Sequence, residues 1–261
     1  MLMAIWNHRS FIRGSVQREF QIKYRNSLLG GAWNIINPLA MIVIYTIVFA
    51  QVMRAKLPGV ESNFAYSIYL CSGVLTWGFF SEMVSRSQAM FLDNANLLKK
   101  INFPRITLPI IVAANAVLNF TIVFGLFLIF LLFSGNFPGW VVLAIVPLLA
   151  LQMAFAIGLG LVLGVLHVFF RDVGHLFGIL LQFWFWLTPI VYPSTILPEA
   201  IKPYIALNPM VSIIEAYQGI LVNQNWPQLI TLLPTAVLSI VLCFFGFHLF
   251  KKNVGEMVDE I

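Results

Sequence analysis

Residues 106–133 read ITLPIIVAANAVLNFTIVFGLFLIFLLF and residues 140–167 read WVVLAIVPLLALQMAFAIGLGLVLGVLH; neither stretch contains Asp, Glu, Lys or Arg. A helix crossing a hydrocarbon layer about 30 Å thick takes about 20 such residues. Each central Leu, Ile, Val or Phe favours insertion by about 0.3–0.6 kcal/mol, whereas a charge opposes it by about 2.5–3.5 kcal/mol. Both stretches therefore predict membrane-spanning helices, long enough to tilt or to reach the headgroups. Outward from this pair, further apolar stretches lie at 36–53, 64–85, 175–192 and 229–250, the fifth in chain order ending in prolines. The expectation is an all-α integral membrane protein with six transmembrane helices.

Composition agrees. The chain is 60% hydrophobic and 10% charged, against about 25% charged in soluble domains, so residues 1–261 are read as one transmembrane domain. The net charge of +5 does not point to nucleic acid, because the cations lie between the apolar stretches and at the ends. Cys71 and Cys243 sit within apolar segments and offer neither a disulfide framework nor a metal-ligand spacing. Residues 1–31 are too polar to read as a cleavable signal peptide.

Six spans place both termini on one side of the membrane. Of the 15 Lys and Arg residues, only Arg54, Lys56 and Lys202 fall on the other side. The bias puts both termini in the cytoplasm. Trp33, Trp77, Trp140 and Trp226 fall near span ends, where interfacial anchors are expected.

Two regions depart from this pattern. In residues 1–31, Ile12, Val16, Phe20 and Tyr24 recur every four residues against Arg13, Gln17 and Arg18, which predicts a basic amphipathic helix on the cytoplasmic surface. Residues 193–228 are too long for a turn and too polar for a span, and carry Pro193, Pro198, Pro203, Pro209 and Pro227. They predict two short helices dipping into the outer interface, as a gate or re-entrant element. Residues 229–250 then form the last span and 251–261 a cytoplasmic tail.

The chain lacks the phosphate-cradling G-x-x-x-x-G-K-[ST] loop, and no Gly-Lys pair occurs. His-Glu-x-x-His, Cys-x-x-Cys and serine nucleophile elbows are absent too. Energy for uphill movement must come from a gradient or a partner. Glu82 lies four residues before Arg86 near the cytoplasmic end of the second span, a spacing that pairs them on one helix face; a part in gating or partner docking is the other reading. Glu215 has no neighbouring cation and is read either as solvent-exposed or as a polar contact in a path. His167, Arg171, Asp172 and His175 cluster where the fourth stretch meets the fifth; Arg171 in their midst argues against metal and for a turn gripped by a soluble partner. Gly158, Gly160 and Gly164 form a small-residue stripe suited to packing on a neighbouring helix or to a dimer seam. The run F-W-F-W at 183–186 covers every face of a helix, so at least one ring points away from lipid, where an aromatic face can stack on a sugar.

Four stretches resemble one family, the ABC-2-type permeases that export polysaccharides. They are REFQIKYRNSLLGGAWNIINPL at 18–39, NANLLKKINFPR at 94–105, FFRDV at 169–173, and TPIVYP at 188–193 with LNPM at 207–210. Gln218 is a departure, at a position where the family is expected to carry Arg. The resemblance implies a homodimer of six-span subunits docked on two copies of a separate ATPase subunit. That subunit would bind ATP and Mg, and this chain no cofactor or metal of its own. The substrate implied is a lipid-linked glycan such as O antigen, capsule or teichoic acid, crossing the bacterial inner membrane. Its path would run between the two permeases, with Tyr45, Phe49, Phe183, Trp184 and Trp186 as aromatic rungs. Asn96, Lys99, Arg105, Arg171 and Asp172 are the expected ATPase contacts, and Tyr192, Glu215 and Gln218 the gate. Arg18, Lys23 and Arg25 stand where a lipid pyrophosphate head would enter, since Arg grips such an anion bidentately; attraction to ordinary anionic lipid explains the same charges. Two other classes compete. An ion-coupled secondary transporter predicts acidic residues at the midplane and inverted repeats, and an integral membrane glycosyltransferase predicts paired acidic residues at the membrane face.

Overall fold

The structure is a computed structural model that describes residues 9–23, 29–52, 57, 64–99, 105 and 107–260. Every regular element among them is helical. Helix α1 spans Arg9–Lys23, α2 Trp33–Thr46, α3 Ala65–Asp93, α4 Ala95–Leu98, α5 Thr107–Phe133 and α6 Ile145–Phe169. Helix α7 spans Asp172–Trp186, α8 Lys202–Ala206, α9 Pro209–Asn223 and α10 Leu229–Glu260. A 3-10 turn leads into α2 at Gly30–Ala32, a π turn continues it over Ile47–Val52, and a 3-10 turn at Gly139–Ala144 leads into α6.

Four of these segments are long and apolar enough to cross a membrane: Gly30–Ala50, Thr107–Phe133, Gly139–Phe169 and Leu229–Glu260. They correspond to the first, third, fourth and sixth apolar stretches. The other two differ for physical reasons. Helix α3 is 29 residues long, but it is the buried centre of the bundle and carries hydroxyls that lower its hydropathy. Those hydroxyls bond inward, as Ser72 Oγ does to the Tyr69 carbonyl and Thr76 Oγ1 to the Ser72 carbonyl, both at 2.7 Å. Helix α7 has only 15 residues, about 22 Å, and stops before the prolines of 188–193.

Helix α6 lies between α3 and α10 and makes the most extensive contacts with both. The glycine stripe explains the fit. A Cβ on Gly158 would stand 2.7 Å from the Cys243 backbone nitrogen, and one on Gly246 3.0 Å from the Gly158 carbonyl oxygen. Gly160 and Gly164 admit Ser87 of α3 in the same way. Small residues at such crossings let backbones approach where lipid offers no hydrophobic drive for association. The stripe therefore packs within the chain. The interior is closed by aromatic rings, with Phe80 and Phe155 stacked at 5.5 Å and Phe91 and Phe250 at 5.2 Å. Trp77 belongs to this interior and is 7% exposed; it is a core residue of α3 and not an interfacial anchor. Trp140 and Trp226 are exposed, as anchors would be.

The two ends of the bundle differ. At the basic end, the Arg105 Nη1 donates to the Val254 carbonyl at 3.4 Å. There too, the His167 ring lies against Gly174, with its Nδ1 3.3 Å from the Gln88 carbonyl oxygen. Helix α1 packs against α5 at this end, with Arg13 and Arg18 exposed and Phe11, Ile12 and Val16 half-buried. At the proline-rich end, residues 187–208 lead into α9. That helix buries Met210, Ile213, Ile214, Tyr217 and Gln218, lies against α3, and is integral to the core.

Candidate functional site

Along α3, Val74, Gly78, Ser81 and Ser85 recur at four-, three- and four-residue steps and so share one face. Gly78 and Ser85 are exposed, and Val74 and Ser81 half-buried, on a helix whose other faces are closed. This strip of small and hydroxyl-bearing residues separates two recesses. On the α2 side a cavity of about 480 Å³ is lined by Asn34, Asn37, Gly78, Glu82, Asn119 and the rings of Trp33, Phe79 and Phe120, among others. On the α7 side a groove of about 410 Å³ is lined by Trp77, Ser81, Leu181, Gln182, Phe185 and Trp186.

The flanking helices bury few residues. Helix α2 buries only Asn34, Pro38 and Ile42, and α7 only Phe177 and Leu181. Their exposed residues include Ile36, Val43 and Ile44 on α2, with Val48 in the π turn that continues it, and Leu176, Ile179, Leu180 and Phe183 on α7. A polar strip between two uncovered apolar flanks suits a hydrophilic path walled by greasy helices.

The F-W-F-W run divides as its periodicity requires. Phe183 and Trp186 are exposed, whereas Trp184 turns inward to within 5.3 Å of Phe80 and 6.1 Å of Trp77. Tyr45 and Phe49, one helical turn apart, lie edge to face at 6.3 Å. Their line continues through Tyr66, 5.2 Å from Phe49, to Tyr69, 6.2 Å further. An aromatic ladder thus climbs from α2 onto α3 toward the proline-rich end.

There the chain between α7 and α9 is held by its own carbonyls. Tyr66 Oη donates to the Val191 carbonyl at 2.6 Å, and Tyr69 Oη to those of Pro189 and Tyr192, each at 3.0 Å. The Gln218 amide donates to the Pro189 carbonyl at 3.3 Å and packs on Gly73. Tyr192 Oη donates to the Trp186 carbonyl at 2.8 Å. Asn208 joins the TPIVYP and LNPM stretches: its Oδ1 accepts from Trp184 Nε1 at 2.7 Å and from the Met210 amide at 3.0 Å, capping α9, while its Nδ2 donates to Thr188 Oγ1 at 2.9 Å. Pro209 begins α9 where a missing N–H costs nothing. Gln218 is buried and Glu215 exposed, and both face a cavity of about 330 Å³ with Tyr69, Ser194 and Thr195.

At the basic end Asn96, Lys99, Arg171 and Asp172 are exposed, while Arg105 is half-buried. No group of three or more His, Cys, Asp or Glu among the described residues is placed to hold a metal. Lys23 closes α1, Arg18 is exposed on it, and Arg25 lies outside the described residues. Glu82 and Arg86 pair as their spacing predicts, at 3.3 Å. Glu19 adds what the sequence reading missed. It forms an ion pair with Arg86 and accepts from Asn115 Nδ2, while Asn119 Nδ2 donates to Glu82 Oε2 at 2.7 Å. The signal was available: Asn115 and Asn119, one turn apart, are the only amides in 106–133, and Asn37 interrupts the first apolar stretch, with Asn34 just before it.

This is an all-helical membrane protein with an outward-facing polar strip, and its sequence matches the ABC-2 type transporter family over residues 11–222. The chain belongs to that family. It is 32% identical to the O-antigen export system permease protein RfbA of Myxococcus xanthus, covering 100% of this chain and 99% of the relative. It is 29% identical to the protein of that name from Klebsiella pneumoniae, over 92% of each chain. The polysialic acid transport protein KpsM of Escherichia coli is 23% identical over 93% of each chain.

Proposed function

We propose that this chain is the membrane permease subunit of an ABC exporter that carries a lipid-linked polysaccharide across the bacterial inner membrane. The observation that carries the reading is the similarity to an O-antigen export permease over 100% of this chain and 99% of the relative. The bundle is compatible in detail. A second copy seated on the bare flanks of α2 and α7 would turn the strip of Gly78, Ser81 and Ser85 into the wall of an enclosed path. Phe183, Trp186, Tyr45 and Phe49 offer aromatic faces on which successive sugar rings stack weakly, and weak repeated contacts let a polymer advance. Trp184, packed into the core, holds that run in place.

In this reading six segments span the bilayer, α3 and α7 completing the count, and both termini lie in the cytoplasm. The basic end then faces two copies of a separate ATPase subunit, which supplies ATP and Mg binding. Exposed Asn96, Lys99, Arg171 and Asp172, with Arg105, form its docking surface. Arg18, Lys23 and Arg25 meet the pyrophosphate head of the substrate. The 187–223 region, with Tyr192, Glu215 and Gln218, is the outer gate.

The test is a chromosomal deletion of the gene for this chain, with recovery on complementation by the chain as the control. Loss of surface polysaccharide, with lipid-linked glycan accumulating inside, is the expected result. Undiminished surface polysaccharide in the deletion strain refutes the assignment.

A further inference from the structure

We infer that the cavity between α2, α3 and α5 is a binding site for one or two neutral pyranose rings, separate from the stacked aromatic ladder. The inference rests on the export reading and deepens it by placing a recognition pocket inside each protomer. At about 480 Å³ the cavity falls within the range of small-ligand sites, about 300–1,000 Å³.

Its lining selects the ligand. Asn34, Asn37, Glu82 and Asn119 all face it; Glu82 and Asn119 bond each other, which leaves the amides of Asn34 and Asn37 to serve a polar guest. Asn34 is 8% exposed, and its Nδ2 has no hydrogen-bond partner. A buried donor left unpaired costs about 1–3 kcal/mol, so a hydroxyl acceptor at that position is favoured. A hydrocarbon tail would leave the buried Asn34 amide unanswered.

Charge narrows the choice further. No Lys or Arg lines the cavity among the described residues. Arg86, which pairs with the lining Glu82, is held by both Glu19 and Glu82, and one oxygen of Glu82 is taken by Asn119. Among the described residues, no lining cation is there to neutralise a phosphate. The amides of Asn34 and Asn37 can donate to and accept from hydroxyls. Trp33, Phe79 and Phe120 supply flat apolar walls for the C–H face of a ring. These are the needs of an uncharged sugar.

The cavity also communicates with the polar strip, because Gly78 belongs to both. A Cβ at Gly78 would meet nothing within 4 Å, so this position is an open mouth that a larger side chain can plug without strain on its neighbours.

The experiment uses the detergent-purified permease with whatever subunits copurify. Saturation-transfer NMR is recorded with methyl glycosides of mannose, galactose, rhamnose and N-acetylglucosamine, and with glucose 1-phosphate as the anionic control; copurifying lipids are read by mass spectrometry. At least one methyl glycoside is expected to bind saturably and the phosphate not to. Asn34→Leu should weaken binding about tenfold, the loss of roughly one hydrogen bond in a dry site, and Gly78→Leu should abolish it, with melting temperatures near wild type for Gly78→Leu. Failure of every glycoside to saturate, preference for the phosphate, a lipid occupying the cavity, or binding indifferent to both substitutions overturns the inference. If export in cells persists at wild-type level under Gly78→Leu while glycoside binding is absent even in the wild type, the pocket alone falls. Normal surface glycan in the deletion strain removes the export reading with it.

Discussion

Glu19 of the surface helix α1 forms an ion pair with Arg86 of α3, and the guanidinium is shared with Glu82 one turn before it. The two carboxylates clamp one cation, and Asn115 and Asn119 of α5 close the network from the other side. A helix that sequence alone places loosely on a membrane surface is thereby bolted to the bundle at a defined register. Any movement of α1 is transmitted to Glu82, which lines the cavity beside α2.

Removing Arg86 leaves Glu19 and Glu82 facing each other without a counter-charge. The partners are about one-third exposed, so water screens part of the repulsion and the expected loss is about 1–2 kcal/mol. Arg86→Met should lower the melting temperature in detergent and expose the α1 region to limited proteolysis. The double exchange Glu19→Arg with Arg86→Glu should recover part of the protection. If the single variant resists protease as well as wild type, the bolt is not what holds α1.

The glycine crossings make a sharper demand. A methyl group at Gly160 would collide with Ser87, and overpacking of this kind costs about 1–3 kcal/mol. Gly160→Ala should therefore melt several degrees lower. Gly178, on α7, is the control: a Cβ there meets nothing within 4 Å, and replacing a helical glycine with alanine gains about 0.5–1 kcal/mol. Equal melting temperatures for the two variants would show that α6 does not seat against α3 as described.

Much of this architecture was legible because bilayer physics is written in long runs. The stretches at 106–133 and 140–167 announce α5 and the α6 segment, and Glu82–Arg86 announces its own pair. Hydropathy misleads where burial replaces lipid contact. Trp77 reads as an interfacial anchor but is enclosed by α7, and the stretch at 64–85 reads as a span although its hydroxyls leave α3 less apolar than the four long apolar segments. The long-range links are silent in sequence. Nothing near Glu19 names Arg86, and nothing in FWFW says that Trp184 turns inward to bond Asn208. Such contacts depend on how helices rotate against each other, which a few small residues such as Gly160 and Gly73 decide.

Asn208 fastens the end of α7 to the start of α9 through Trp184, Thr188 and the Met210 amide. Asn208→Leu strips the cap and leaves the indole N–H without its acceptor, at an expected cost of about 2–3 kcal/mol. Trp184→Phe keeps an aromatic ring and loses one bond, about 1 kcal/mol. A cysteine placed at Ile190, fully buried in the wild type, reports the difference. Its labelling by a membrane-impermeant maleimide should rise strongly with Asn208→Leu and little with Trp184→Phe. Equal labelling in both backgrounds would assign the closure of this segment to Tyr66, Tyr69 and Gln218 instead.

Arg171 is exposed at the tight α6–α7 turn, where His167 packs over Gly174 and the turn is stiffened from within. A rigid turn with a charge at its tip transmits a push without absorbing it. Arg171→Ala changes no packing contact, so stability should stay within about 0.5 kcal/mol of wild type and membrane insertion should be normal. If the proposed export role and ATPase docking surface hold, surface polysaccharide should nonetheless fall at least severalfold, with either loss of a copurifying ATPase or ATP turnover uncoupled from export. His167→Ala tests the other half of the arrangement: it leaves the charge in place but loosens its support, and should reduce export less while lowering the melting temperature. An Arg171→Ala variant that retains its ATPase, its coupling and its surface glycan would move the docking surface elsewhere on the basic end.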